Sequence, residues 1–293
     1  MNQVQTITNK PKIRLQVGPE YSSVKNVVRE NKLHTVCEEA RCPNIFECWG
    51  KGTATLMILG DVCTRACGFC SVKTGKPTWN DSMEPMRTAI TVKKMGLSHV
   101  VITSVDRDDL QDDYGAGIWA ETIQKIHKFV PKCTVEVLTP DFKGYFPALK
   151  KVFDSGPDLY SHNLECVERI SKIVRAQADW NRSFRVLKFA VDYGLRTKTG
   201  LMVGLGETKQ EVVDTMKQTV DLGIDIFTIG QYLQPTSDHF PVDRYVSNDE
   251  FIFYKELGMK IGFSVVESGP LVRSSFHAEE QVRSWESSRN NQN

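Results

Sequence analysis

At 293 residues the chain is long enough for one barrel-sized domain or two smaller ones. Its 37 Lys and Arg against 36 Asp and Glu leave a formal charge of +1, which gives no general attraction to nucleic acid or to an anionic membrane surface. No apolar run approaches the roughly 20 residues needed to span a bilayer, and the polar start "MNQVQTITNKPKIRLQ" has no apolar signal core. A soluble, cytoplasmic monomer is therefore expected, and in a reducing compartment its eight cysteines are better candidates for metal ligands than for disulfides.

Residues 1–20 and the closing "SSRNNQN" are polar and read as loose ends. Residues 20–53 form a cysteine-bearing extension. Strand signals then follow at "TLMILG" (55–60), "HVVITS" (99–104), "TVEVLT" (134–139), "DLYSHN" (158–163), "TGLMVG" (199–204), "DIFTIG" (225–230) and "FSVVES" (263–268). Helix-period segments separate them: "MRTAITVKKMG", "GIWAETIQKIHKFV", "ECVERISKIVR", "SFRVLKFAVDYG" and "ETKQEVVDTMKQTVDLG". Several close on Gly96, Gly194 or Gly223, where a left-handed residue ends a helix easily. Strand–helix alternation implies parallel strands joined by right-handed crossovers. The predicted fold is α/β: a partial (β/α)6 TIM-type barrel over 54–268, with the N-terminal extension over 1–53 and a C-terminal segment over 269–293. Function in such folds sits at the carboxyl ends of the strands, and "CTRACGFC" follows closely on the first of them.

Cys63, Cys67 and Cys70 are spaced C-x3-C-x2-C. Zinc asks for four tetrahedral ligands, commonly in pairs two residues apart, and this run offers three. A [4Fe–4S] cluster held by three cysteines keeps one iron open for a substrate or cofactor. Upstream, Cys37, Cys42 and Cys48 are spaced C-x4-C-x5-C in "CEEARCPNIFECW". That matches no common zinc or ferredoxin spacing. Taken alone it is a metal site of undetermined metal, in a segment stiffened by Pro43 and Trp49.

With Phe69 before its last cysteine, the 63–70 run resembles the signature of the radical S-adenosylmethionine superfamily. The resemblance implies S-adenosyl-L-methionine chelated to the open iron and cleaved by one electron to a 5′-deoxyadenosyl radical. "GLMVGLGE" (200–207) is similar to the superfamily's G-x-I-x-G-x-x-E strand, with Met202 where Ile is usual, and "SHNLE" (161–165) ends another strand with Asn163 and Glu165 at the mouth. Both triads together, with "TSVDRDDL" (103–110), "HNLE" (162–165), "TKTGLMVGLGE" (197–207) and "GPLVRSSFHA" (269–278), make the chain resemble the lipoyl synthase family from about residue 20 to 280. This implies a second [4Fe–4S] cluster on Cys37, Cys42 and Cys48, completed by a serine oxygen from an R-S-S-Y motif. Here the motif reads Arg273-Ser274-Ser275-Phe276, with Ser275 the expected ligand and Ser274 the fallback. Phe276 keeps the ring of the family's Tyr and loses its hydroxyl. An alkoxide is a harder and poorer match to iron in a sulfide cluster than a thiolate, which suits a corner meant to be lost. The cofactor contacts carried over are Phe69, Asn163, Glu165, Lys198, Gly204, Glu207 and Arg273.

The implied reaction inserts two sulfur atoms, at C6 and C8 of an octanoyl chain borne on a lysine of a lipoyl-carrier protein domain. One triad makes the radical; the other supplies the sulfur and is consumed. The implied partners are the octanoylated carrier, an electron donor such as ferredoxin or flavodoxin, and an iron–sulfur carrier that rebuilds the second cluster. Cys133 and Cys166 read as packing residues, His162 as a satisfied structural histidine or a cofactor contact, and the acidic run 106–113 as a solvated loop or a docking surface. A methylthiotransferase would place its extra cluster in a larger N-terminal domain, and a biotin-synthase-like enzyme would bury its extra ligands in the barrel. A zinc-stabilised binding module would need a fourth Cys or His beside one of the triads.

Overall fold

The computed structural model describes residues 10–13, 17–78 and 80–290. The extension holds α1 (Pro19–Glu30), β1 (His34–Thr35), α2 (Val36–Glu39) and α3 (Ile45–Gly50). The barrel follows: β2 (Thr55–Ile58), β3 (Val62–Cys63), β4 (Lys73–Thr74), α4 (Glu84–Met95), β5 (His99–Ser104), α5 (Ala116–Phe129), β6 (Thr134–Leu138), α6 (Phe146–Asp154), β7 (Leu159–Ser161), α7 (Glu168–Val174), α8 (Trp180–Asp192), β8 (Thr197–Val203), α9 (Lys209–Asp221), β9 (Ile226–Gln231), α10 (Asn248–Ile261) and β10 (Val265–Gly269). The helix α11 (Ala278–Asn290) comes last.

Seven strands pair in parallel in the order β2-β5-β6-β7-β8-β9-β10, and β1 adds antiparallel to β2. Six strand–helix units and a seventh strand give the partial barrel that the alternation predicts. Its strands are buried on both faces, which is why they read as near-continuous apolar runs. Gly96, Gly194 and Gly223 do take left-handed φ values of 64°, 87° and 91° beyond their helices. The sequence reading missed α6 and α10. The first is a short helix opening on Phe146 and Pro147; in α10 the exposed Ile252 and Met259 blur the apolar face.

Two expectations about the ends of the chain are corrected. Residues 1–9 and 14–16 lie outside the described residues, but Lys10, Pro11 and Ile13 lie on the wall of the barrel cavity, and α1 begins at Pro19. The closing segment is helical through Asn290 rather than loose. Trp285 packs with Leu159, Ile226 and Val265, which all lie at strand beginnings, so α11 closes the amino end of the barrel. The extension shares the barrel's core as well: Val24, Val28, Leu33 and Trp49 pack in one cluster with Leu56, Ile58 and Ile102.

An ion pair lies sealed inside the barrel wall. The Lys198 ammonium donates to Glu136 at 2.9 and 3.3 Å, both residues fully buried, and Ser161 Oγ donates to the same carboxylate at 3.0 Å. Burial alone would raise the Glu136 pKa, but Lys198 and His99 outweigh it and leave the group at about 2, against an ordinary 4.5. A carboxyl whose folded pKa is depressed stabilises the fold above its unfolded value and loses that contribution as pH falls through the folded one. Here that window runs from pH 4.5 down to about 2. Lys198→Met strands a buried carboxylate and is expected to cost about 3–5 kcal/mol, whereas Glu136→Leu with Lys198→Met should recover at least half of that. Anaerobic urea unfolding at pH 7 measures both, and the wild type alone should lose stability steeply below pH 4.5.

Candidate functional site

A cavity of about 620 Å³ occupies the barrel interior, lined by Cys63, Cys67 and Cys70 of the first triad and by Cys42 of the second. The triads lie at opposite ends of β2. Cys63 follows the strand's carboxyl end, while at its amino end Thr53 N donates to the Cys48 carbonyl at 2.9 Å. Four residues of strand separate the two ends by roughly 10–13 Å.

The loop carrying Cys63, Cys67 and Cys70 is held from every side. Leu59, at φ 67°, turns the chain out of β2, and the buried Glu84 carboxylate accepts the amides of Leu59 and Gly60 at 2.7 and 3.3 Å. Cys63 pairs with Thr74 across β3 and β4. Gly68 donates to Val174 O and accepts from Phe240 N, each at 2.7 Å, and His239 Nε2 bonds the Cys70 carbonyl at 3.0 Å. Arg65, between the first two cysteines, is buried and meets Asp106, Asp108 and Asp141 at 3.2, 2.9 and 2.6 Å. Three aspartates exceed one guanidinium; Arg182 answers Asp141 from the other side at 2.7 Å. The run 106–113 is therefore neither a solvated loop nor a docking surface at its start. Burial raises the Asp106 pKa to about 6 against the pull of Arg65.

The second triad is built on two short helices. Thr35 caps α2, accepting from Glu38 N at 3.3 Å, and places Cys37 one turn before Cys42, whose amide donates to Cys37 O at 3.0 Å. Trp49 is fully buried beneath them and packs against Tyr21 at 5.1 Å. The Asn44 carbonyl accepts from Cys48 N at 2.9 Å. Burial pushes the Cys37 thiol up to about 11 and Cys48 to about 12, and the three sulfurs feel one another's charge. In the first triad burial likewise raises Cys63 to about 11 and Cys70 to about 12. Cys133 and Cys166 are buried among apolar neighbours, as expected of packing residues.

The Arg273-Ser274-Ser275 segment crosses the cavity wall beside Cys42. Gly230 of β9 makes room for it. A Cβ there would stand 2.1 Å from Val272 O and 3.1 Å from the Arg273 guanidinium. Arg273 is half-buried with its charge toward Cys42 and Glu165, and Asn163 Nδ2 donates to Ser274 Oγ at 2.7 Å. Asn163 Oδ1 is buried without a hydrogen-bond partner among the described residues. Glu165 holds a left-handed φ of 68° and, by burial, a raised pKa, with Arg175 and Asn163 opposing that shift. Phe69 lies on the same wall.

These residues suit clusters better than single ions. Among the described residues no three His, Cys, Asp or Glu side chains converge on one metal-sized point, whereas a cubane takes each thiolate at a different corner. The unfilled Asn163 acceptor and the buried Glu165 offer a cationic amino group its partners. S-adenosylmethionine and iron–sulfur clusters therefore fit the donor set.

Three carried-over contacts do not reach the cavity wall. Lys198 is committed to Glu136. Glu207 accepts from Gly204 N and Leu205 N at 2.7 and 2.9 Å and so folds the turn after β8. Gly204 is needed because a Cβ would strike Gln231 Nε2 at 2.2 Å and Arg244 O at 2.6 Å. From that motif Gly200, Leu201 and Met202 line the cavity instead. His162 is satisfied by Thr139 O and Ser183 Oγ at 2.9 and 3.0 Å, and burial lowers its pKa to about 4. Sequence reasoning missed Arg65, Arg175 and Gly230. The only cue to Arg65 was an arginine set between two ligand cysteines.

The "Radical SAM superfamily" model matches residues 57–219, and the "N-terminal domain of lipoyl synthase of Radical_SAM family" matches 5–42. Among solved structures, methylornithine synthase (PylB) aligns at a TM-score of 0.56 and 14% identity over 92% of each chain. HydG, a maturase of the [FeFe]-hydrogenase, aligns at 0.54 and 15%, over 78% of this chain and 61% of its own. The barrel and its C-x3-C-x2-C loop are those of the radical S-adenosylmethionine superfamily. Curated relatives narrow this further. Lipoyl synthase of Rubrobacter xylanophilus is 57% identical over 92% of this chain and 85% of its own, that of Bacteroides thetaiotaomicron 50% over 93% and 96%, and that of Shouchella clausii 52% over 92% and 88%. The chain belongs to the lipoyl synthase family.

Gly230→Ala should drive the Arg273–Ser275 segment off β9, because backbone meets Cβ there and neither can yield; about 1–3 kcal/mol of stability is expected to go. Gly269→Ala, whose Cβ would touch only the flexible Val272 side chain at 3.4 Å, should change stability by less than about 0.5 kcal/mol. Urea unfolding of the two variants side by side checks the contrast.

Proposed function

We propose that the chain inserts sulfur at C6 and C8 of an octanoyl group carried on a lysine of a lipoyl-carrier protein. The observation that carries this reading is one cavity whose wall brings Cys63, Cys67 and Cys70 together with Cys42 and the Arg273–Ser275 segment, the two triads lying at opposite ends of β2. Cys63, Cys67 and Cys70, which line the cavity, would hold a [4Fe–4S] cluster and leave one iron free for S-adenosyl-L-methionine. Cys37, Cys42, Cys48 and Ser275 hold the second. When bound, the first cluster with S-adenosyl-L-methionine supplies a hydrogen-abstracting radical, and the second supplies sulfur.

The protein's own part is placement and exclusion. Asn163, Glu165 and Arg175 give the polar end of the nucleoside cofactor its partners, and Phe69 walls the first loop. Met57, Val72, Leu138, Leu201 and Met202 line the space between the triads and accept an alkyl chain without offering it a hydrogen bond. Water kept off that wall cannot quench a carbon radical. Arg273 holds a half-buried positive charge beside Cys42, which offsets the negative charge that thiolate ligation brings in. An octanoyl-lysine arm reaches such an interior while its carrier stays at the rim.

The electron arrives from a ferredoxin- or flavodoxin-type donor, and an iron–sulfur carrier restores the second cluster. All eight cysteines are free, which favours a reducing cytoplasm. Among the described residues no helix is long and apolar enough to cross a membrane.

Iron and acid-labile sulfide on anaerobically prepared protein test the two-cluster assignment. About eight irons per chain should fall to about four in Cys37→Ala/Cys42→Ala/Cys48→Ala. That variant should still cleave S-adenosylmethionine reductively yet leave an octanoyl-lysine peptide without sulfur. Unchanged iron in the triple variant would sink the assignment.

A further inference from the structure

The segment Pro270–His277 between β10 and α11 has no regular secondary structure; its internal bonds are two turns, Val272 N to Gly269 O and Phe276 N to Arg273 O, at 3.1 and 3.0 Å. It must be fastened from outside. The sheet does not do this, because β1 and β10 are its two edges and do not pair. Side-chain contacts at its two ends bridge that seam and bracket the serines: at His277, Lys51 Nζ lies 3.3 Å from the ring Nε2. Glu47 Oε1 meets His277 Nε2 at 3.0 Å, but both groups are substantially exposed, and such contacts hold weakly. Asn44 Nδ2 donates to Leu271 O at 2.7 Å, and Asn44 is only 4% exposed.

Asn44 begins α3, where an asparagine ordinarily turns its side chain onto its own helix as a cap. Here that cap bond is not made. The carboxamide reaches instead across 227 residues of sequence, and since a carbonyl only accepts, its nitrogen must face Leu271. Its backbone carbonyl meanwhile accepts from Cys48 N at 2.9 Å. One residue thus grips a cysteine of the second triad with its main chain and the serine-bearing segment with its side chain.

We infer that Asn44 is a positioning residue for the second cluster: it sets the register of Arg273–Ser275 against Cys42 and so keeps the serine oxygen over the cluster's fourth corner. This rests on the serine-completed second cluster proposed above. Without the clasp the three cysteines still hold a cluster, but its fourth iron loses its protein ligand. The expected lesion is selective: a three-iron cluster, not an empty site.

Asn44→Asp keeps the shape, removes the donor and sets a negative charge against the Leu271 carbonyl; Asn44→Gln keeps the donor, uncharged, on a longer arm. Both are reconstituted anaerobically with iron and sulfide, oxidised mildly, and read by electron paramagnetic resonance for the [3Fe–4S]+ signal. Hydrogen exchange of the 268–277 backbone is followed on metal-free samples. In Asn44→Asp the three-iron signal should rise at least threefold over wild type and exchange should quicken several-fold, with the signal of the first cluster unchanged. Asn44→Gln should fall between the two. A three-iron signal at wild-type level in Asn44→Asp protein that still binds about eight irons overturns the inference. So does unaltered exchange over 268–277, which is measured whether or not the variant takes up iron. If Asn44→Asp does not fold, Asn44→Gln with both readouts at wild-type level, despite its displaced donor, overturns it equally. The cysteine triple variant runs alongside: unchanged iron there condemns the two-cluster reading itself, not the role of Asn44.

Discussion

A strand of four residues, Thr55–Ile58, sets the relation between the two chemistries of this protein. Each end of β2 leads within a few residues to a cysteine loop, so the strand, one of the least compressible rulers a chain can supply, sets how far apart the two loops begin. Much of the surrounding structure keeps the two ends from drifting. At the carboxyl end Glu84 pins the turn and Arg65 ties the loop to three aspartates from β5 and β6. At the amino end β1 pairs with β2, and Trp49 fills the space under the second triad. The ruler suits an alkyl chain of similar length lying between a radical source and a sulfur source.

An open barrel has a seam, and this one is closed by chemistry that a backbone ladder could not provide. Continuing the sheet from β10 to β1 would cover the edge but fill the space that the serine segment occupies. A tight glycine at 230 and a buried asparagine at 44 let that segment run where a strand would otherwise lie. The penalty of an open edge is met by the extension on one side and by α11 beneath.

The barrel was legible because parallel strands buried on both faces announce themselves as apolar runs, and all seven fall where "TLMILG" through "FSVVES" place them. The cysteines were legible because their spacing is chemistry written locally. What did not show was long-range pairing of polar groups. Lys198 sits in a motif beside the cofactor strand, but alternation along β8 turns it toward Glu136, and a one-residue difference in facing decides between a cofactor contact and a structural ion pair. Glu207 and Gly204 are likewise part of the motif because they fold the turn, not because they touch a ligand. Nothing in the sequence around Asn44 points to Leu271, 227 residues away.

The clasp between Asn44 and Leu271 also has a bearing on biosynthesis. In the assignment proposed above, the first site needs only residues 63–70 and the strands that follow, whereas the second would draw its ligands from both ends of the sequence. A chain still on the ribosome can finish the amino-terminal cysteine loop long before its serine exists, since domains fold as the chain emerges from the amino terminus. The site that gives up sulfur is therefore completed last, after β10 has docked and the barrel is whole. A chain that ended before Ser275 would keep the three cysteines and lose the oxygen proposed to complete their cluster.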